Sequence, residues 1–207
     1  IFVILVCIAA SFHASALFFL VLLLIKKIYL TKKKMLGIVL ISALVGQSGL
    51  MEYIYFELIG NSQFIRSIEF MSLNRLAQYA TSHYTIRTGT GYLGYIYTLL
   101  NSILVVWFYD KLKIMNDGKA IIIAKTYYWG TVLFFLLFNL ALINSRLTMA
   151  FIATEIFLIP YLFKCIKDKN LRVIFLSIYL LGVLLRGYLR FLGDFDAFVP
   201  FEFFWSS

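Results

Sequence analysis

The sequence predicts an all-α, polytopic integral membrane protein: a bundle of about six transmembrane helices with one amphipathic helix on its outer face. Three observations predict it. Apolar residues make up 62% of the chain and charged residues only 14%, with a mean hydropathy of +0.91, more apolar surface than a soluble core requires. Six mostly apolar stretches follow one another, each of about twenty residues, the length needed to cross a hydrocarbon core. Between them basic residues alternate in kind: all twelve lysines fall in or beside the first, third and fifth connections, while six of the seven arginines fall at the other ends of the same stretches.

Taken in order, the stretches cover roughly residues 2–25, 35–57, 91–109, 120–143, 147–163 and 171–190. Lys26, Lys27, Lys32, Lys33 and Lys34 follow the first. Lys111, Lys113 and Lys119 follow the third, with Lys125 just inside the fourth. Lys164, Lys167, Lys169 and Arg172 follow the fifth. Placing these three connections in the cytoplasm threads the chain in agreement with the positive-inside bias. The net charge of +9 then points to anionic lipid beside the spans and not to nucleic acid. Cys7 and Cys165 fall at opposite faces, which argues against a disulfide or a metal pair. Residue 1 is Ile within an apolar run, with no basic segment before it. That is not a signal peptide, and the chain is expected to be the C-terminal part of a larger membrane protein, residues 1–207 forming a single domain.

The outer side then holds a long segment, residues 58–90, a tight turn at Asn144, Ser145 and Arg146, and the tail after Arg190. In the long segment Phe64, Ile65, Ile68, Met71, Leu73 and Leu76 recur at nearly helical spacing, with Arg66, Glu69, Asn74, Arg75 and Gln78 between them. This predicts an amphipathic helix on the membrane surface. Residues 80–94 are rich in Ser, Thr, Tyr and Gly, an irregular stretch whose hydroxyls and rings, Tyr92 within it and Tyr79 just before it, suit a sugar.

Arginine gathered on the outer face runs against the topological bias and calls for a chemical reason. Guanidinium grips phosphate or carboxylate in a fixed fork. Arg66, Arg75 and Arg87 in the long segment, Arg146 in the turn, and Arg186 and Arg190 at the mouth of the last span are therefore candidate anion ligands. Arg146 gains weight if a helix starts there, because free N–H groups and the positive dipole end would add to its charge; the plainer reading is an arginine snorkelling to headgroups. Arg186 and Arg190, four apart, share a helix face, and Asp194 four further on offers Arg190 an ordinary structural partner.

Two titratable residues lie inside spans. His13, among Ser11, Ala14, Ser15 and Ala16, sits where small residues permit close helix contact; it is either a functional-site residue or a neutral histidine bonded to a neighbouring helix. Glu155 lies roughly 12 Å deep at 1.5 Å per residue, so it must be protonated, paired or facing a wet cavity. A general base and a structural partner for Arg or His are both open, the second the stronger. Glycines 89, 91 and 94 follow no strand, so no nucleotide loop is implied, and no metal-ligand spacing is present.

These features resemble the EpsG family, within the broader Wzy-type bacterial polysaccharide polymerases. The resemblance is carried by residues 11–17, Ser-Phe-His-Ala-Ser-Ala-Leu, by residues 144–151, Asn-Ser-Arg-Leu-Thr-Met-Ala-Phe, and by Leu158, Ile159 and Pro160. An Arg-x₁₀-Gly pattern of some related polymerases is absent: eleven residues after Arg66, Arg75 and Arg87 stand Ala77, Ile86 and Thr98. The resemblance implies a glycosyltransferase-type enzyme in the bacterial inner membrane. It would join undecaprenyl-diphosphate-linked oligosaccharide repeat units at the outer face, with a chain-length regulator as a further partner and no metal or other cofactor. His13, Arg146 and Arg75 then become the catalytic candidates, with Arg66, Arg87, Tyr79, Tyr92, Glu155, Arg186 and Arg190 as substrate ligands. A flippase for the same lipid-linked sugars is the main competitor, but it would want charge along the whole crossing. A membrane acyltransferase would need an acid partner for His13, and a purely structural subunit leaves the outer arginines unexplained.

Overall fold

The computed structural model describes residues 2–12, 16, 19–60, 91–115 and 117–193. Among them every regular element is helical, as expected. The order is α1 (Phe2–Phe12), α2 (Val21–Lys27), α3 (Lys32–Gln47), α4 (Leu50–Ile54) with a wider π-helical turn at Tyr55–Gly60, α5 (Gly91–Ile114), α6 (Gly118–Leu136), α7 (Ala141–Ile152), α8 (Glu155–Lys164) and α9 (Lys169–Gly193). The expected amphipathic segment at 58–90 and the tail after Arg190 lie almost wholly outside the described residues.

Local chemistry sets the helix ends. Thr31 Oγ1 accepts from the Lys34 N–H at 3.5 Å, Asp117 Oδ1 from Lys119 and Ala120 at 2.9 and 3.4 Å, and Asp168 Oδ1 from Leu171 at 2.9 Å. Each satisfies N–H groups that a first helical turn leaves free. Gly49 has φ +76°, a left-handed conformation that glycine adopts at no steric cost. It bends the chain by 67° between Lys32–Gln47 and Leu50–Glu57. Ser48 stabilises both sides of the bend, donating to Val45 O at 2.8 Å and accepting from the Leu50 N–H at 3.3 Å.

α6 is the central helix, packed by α2, α3, α5, α7 and α8. Its contacts are close because glycine sits at two crossings. A Cβ on Gly46 of α3 would run into the Phe135 carbonyl of α6, and one on Gly130 of α6 would lie 2.5 Å from Phe151 Cβ of α7. Small residues let helix backbones approach this way where lipid provides no hydrophobic drive for association. The main core is built from Met35, Val39, Val105, Tyr109, Leu112, Tyr128, Phe135 and Leu158 with their neighbours. Buried hydroxyls inside the helices bond back to their own backbone: Ser42 to Val39 O, Thr98 to Gly94 O, Ser102 to Thr98 O and Thr131 to Tyr128 O. That satisfies them without a partner on another helix.

The spans differ from the expected ones in instructive ways. Of the first, Phe2–Phe12 (α1) and Val21–Lys27 (α2) are helical, and residues 13–15 and 17–18 between them lie outside the described residues. The second is bent at Gly49. The fourth stops at Leu136 rather than 143, and the fifth begins at Ala141 rather than 147 and breaks at Ala153 and Thr154. Among the described residues, one helical run, Ile143–Lys164, is long and apolar enough to cross a membrane, and the bent pair makes a second if counted as one broken span. Only 33% of its 18-residue apolar stretch is buried inside the protein, unlike the core helix of a soluble domain. α5 and α9, at 24 and 25 residues, would reach about 36 Å.

The lysine-bearing connections come together at one end of the bundle. Lys125 Nζ donates to Lys26 O and Ile28 O at 3.0 and 2.7 Å, and Lys113 Nζ to Leu30 O at 3.4 Å, lying also over the rings of Tyr29 and Tyr109. Cys165 Sγ reaches Met115 Sδ at 3.6 Å, which brings in the fifth connection. Burial pushes the Cys165 thiol above its ordinary range, against the opposing charge of Lys111. Lys32 pairs with Asp110 at 3.2 Å, an exposed contact worth little by itself.

Candidate functional site

Glu155 opens α8 and is 8% exposed. Three donors converge on its Oε1: Tyr97 Oη at 2.7 Å and Asn101 Nδ2 at 3.0 Å, both from α5, and Tyr179 Oη at 2.7 Å from α9. Tyr97 and Asn101 are four apart, so one face of α5 presents both. The rings of Tyr97 and Tyr179 lie 6.5 Å apart, and Phe163 packs edge-on against Tyr179 at 6.3 Å. Glu155 is nine residues from Lys164, Asn101 ten from Lys111, and Tyr179 ten from Lys169. At 1.5 Å per residue all three stand about 15 Å from the lysine end, half the thickness of a hydrocarbon core. A carboxyl at that depth is costly unless it is hydrogen-bonded. Among the described residues two tyrosines and an asparagine do this; the arginine or histidine partner expected for Glu155 falls on side chains outside the described ones.

Tyr127 of α6 is buried beside this cluster and within electrostatic reach of Glu155, Tyr97 and Tyr179. Its hydroxyl has no hydrogen-bond partner among the described residues. None of Tyr97, Asn101, Tyr127 or Tyr179 was singled out from the sequence. The signal available was spacing: hydrogen-bonding residues at equal distance from the lysines of successive spans.

The expected turn at Asn144, Ser145 and Arg146 is not there. These residues lie inside α7, whose preceding turn is at Leu137–Asn139. The Asn144 N–H already bonds Leu140 O at 2.8 Å, Asn144 Nδ2 donates to Phe134 O at 3.2 Å, and Thr148 Oγ1 donates back to Asn144 at 2.8 and 3.0 Å. Arg146 is therefore the sixth residue of its helix, past the first turn. The dipole and free N–H contribution expected there is corrected, since both act within the terminal turn. Tyr92, at the start of α5, is 74% exposed with its ring 6.5 Å from Phe138.

His13, Arg66, Arg75, Tyr79 and Arg87 lie outside the described residues. For Arg146, Arg186 and Arg190 the helical backbone is described. Counting from Lys164 and Lys169, positions 146, 186 and 190 fall about 27, 26 and 32 Å along their helices from the lysine end. All three stand within a few ångströms of a hydrocarbon thickness, about 30 Å, from the lysines. The opposite end also holds Tyr92, the C-terminus of α3 and the turn before α7, where Asn139 Nδ2 bonds Gly46 O at 3.1 Å. Among the described residues no group of three His, Cys, Asp or Glu side chains could hold a metal ion.

The sequence profile of the EpsG family matches residues 1–203 of the chain. The protein belongs to the EpsG family. EpsG proteins are Wzy-type, polysaccharide polymerase-like proteins of membranes, and membership carries a polymerase-type role in polysaccharide biosynthesis on a lipid-linked oligosaccharide. No curated protein matches this EpsG chain, and no solved structure matches it.

Proposed function

We propose that this EpsG chain polymerises undecaprenyl-diphosphate-linked oligosaccharide repeat units at the outer face of the bacterial inner membrane. In this reading its helices form six crossings, some broken, with the lysine connections in the cytoplasm. The acceptor hydroxyl of one unit attacks the anomeric carbon of the other. The carbon–oxygen bond to the lipid diphosphate breaks, and the hydroxyl proton passes to a base. Charge develops on the departing diphosphate, so Arg146, Arg75 and Arg66 lower the barrier as preorganised donors. Arg87, Arg186, Arg190, Tyr79 and Tyr92 hold the diphosphate and the sugars, and His13 takes the proton. The observation that carries the reading is the polarity of the bundle. Lysines close one end, while arginine positions on two separate helices stand about 30 Å away, in a chain of a polymerase-type family. A chain-length regulator would meet the protein at the same outer face.

The test is incubation of the purified complete protein with lipid-linked repeat units, scored on gels. A ladder of products supports transfer. Movement of unmodified units across vesicles, with no ladder, sinks the proposal and supports a flippase. Arg146→Ala should abolish the ladder while leaving single units and protein level intact, and persistence of polymer in that variant removes Arg146 from the reaction. Arg146→Lys separates fork geometry from charge.

A further inference from the structure

α9 is the outermost of the long helices. It packs against α5 and α8 and exposes apolar side chains such as Val173, Ile178, Leu181 and Leu184 around most of its circumference. Among its described side chains only Arg172, Tyr179 and Gly182 escape full exposure. Arg172 bonds Ile166 O at 2.7 and 3.2 Å near the lysine end. Gly182 faces the ring of Tyr97. Tyr179 supplies the tie at mid-height, its hydroxyl on Glu155 Oε1 at 2.7 Å. A smooth apolar cylinder in lipid has little to set its rotation about its own axis, so a hydrogen bond to a fixed carboxyl matters here more than its energy suggests.

The helical register shows what that rotation controls. At about 100° per residue, position 186 lies about 20° to one side of Tyr179 and position 190 about 20° to the other. Position 186 therefore falls between Tyr179 and Gly182 on the inward stripe, seven residues or about 10 Å further from the lysine end. The stripe that Glu155 turns inward is the stripe that carries both C-terminal arginines.

We propose that Glu155 is a positioning residue. Through Tyr179, and braced by Tyr97 and Asn101 on α5, it sets the rotation of α9 so that Arg186 and Arg190 are presented to the diphosphate end of the bundle. This rests on the polymerase reading above and deepens it. Glu155 touches neither sugar nor diphosphate; its action is mechanical. With a side-chain radius of roughly 5–6 Å, a 20° rotation moves a group on α9 by about 2 Å. Displacements of that size cost on the order of a hundredfold where donors must meet developing charge.

The test uses complete protein with Cys7 and Cys165 replaced by Ser and nitroxide labels at the exposed Leu184 of α9 and Ile122 of α6, read by double electron–electron resonance. Ladder formation is measured on the same protein without labels. Glu155→Gln keeps an oxygen acceptor and should preserve the distance and stay within about threefold of full activity. Glu155→Leu should shift or broaden the distance by about 2 Å and cut ladder formation about a hundredfold. Tyr179→Phe removes one hydrogen bond and should fall between them, which keeps the test alive if Glu155→Leu fails to fold. An unchanged distance with lost activity would mean that Glu155 acts on substrate directly and overturns the positioning role. A shifted distance with full activity overturns it as well, leaving the polymerase reading intact. Absence of a ladder from unmodified protein defeats that reading itself, while the distance still reports whether Glu155 orients α9.

Discussion

Gly130→Ala is the sharpest single test of the packing that presents Arg146. Gly130 faces α7 at the point where α6 and α7 cross, and a Cβ there would lie 2.5 Å from Phe151 Cβ, 3.2 Å from Phe151 C and 3.3 Å from Ile152 N. Ordinary carbon contacts need about 3.5–4 Å, so α7 has to withdraw by about 1 Å. Two of the three obstructing atoms are backbone, and no rotamer change can relieve them. Overpacking of this kind costs about 1–3 kcal/mol, which for a chain of this size lowers the unfolding midpoint by roughly 2–12 °C. Position 146 lies five residues before Phe151 on the same helix, and in the proposed reaction, where Arg146 is a transition-state donor, a 1 Å displacement costs on the order of a hundredfold. Thermal unfolding in detergent and ladder formation should therefore fall together. Gly37→Ala and Gly118→Ala, whose added Cβ meets nothing within 4 Å, should leave both unchanged. Phe151→Ala should fail to rescue Gly130→Ala, because the offending Cβ and backbone remain. A Gly130→Ala protein as stable as its parent would refute the close α6–α7 approach and everything built on it.

Three further outcomes follow from the same structure. Lys125→Ala removes two charge-assisted bonds from the C-terminal carbonyls of α2 and should cost about 2–4 kcal/mol, read as a lower unfolding midpoint; an unchanged midpoint would show that α2 docks without it. Tyr127→Phe deletes a buried hydroxyl with no partner among the described residues and should be neutral or stabilising by about 1–2 kcal/mol; a destabilised variant would reveal a hydrogen bond there. Because burial raises the Cys165 pKa, its thiolate is scarcer than that of an ordinary cysteine near neutrality, and the thiolate is the reactive form. Alkylation of Cys165 should be slower in folded than in denatured protein and should accelerate as pH rises through the raised pKa. Equal rates in the two states would place the thiol in solvent.

Hydropathy made the long elements readable in advance. α5 and α9 start within two residues of their expected limits and run three to five residues past them, because a run of apolar residues closed by lysine leaves little choice. The breaks were hidden for physical reasons. The bend at Gly49 depends on one positive φ, and a lone glycine in an apolar run does not advertise it. The turn before α7 consists of Leu137, Phe138 and Asn139, with no glycine or proline to mark it. Asn144 and Ser145 looked like a turn, yet Asn144 spends its polar atoms on Phe134 O and Thr148 inside the bundle. Glu155 stood out from its charge and depth alone. Its partners did not, because tyrosine and asparagine in a span carry no charge to attract notice, and pairing across three helices is a property of the assembled register.

The centrality of α6 has a consequence for how the chain is made. This helix carries Lys119 and Lys125 in its opening turns, and the carbonyls that Lys125 binds belong to a segment synthesised almost a hundred residues earlier. It cannot settle before α2, α3 and α5 are waiting for it, and α7 to α9 find no surface to dock on until it has. Assembly during translation should therefore pause with α6 held beside the insertion machinery, and truncations ending just after residue 136 should be the shortest fragments that resist degradation.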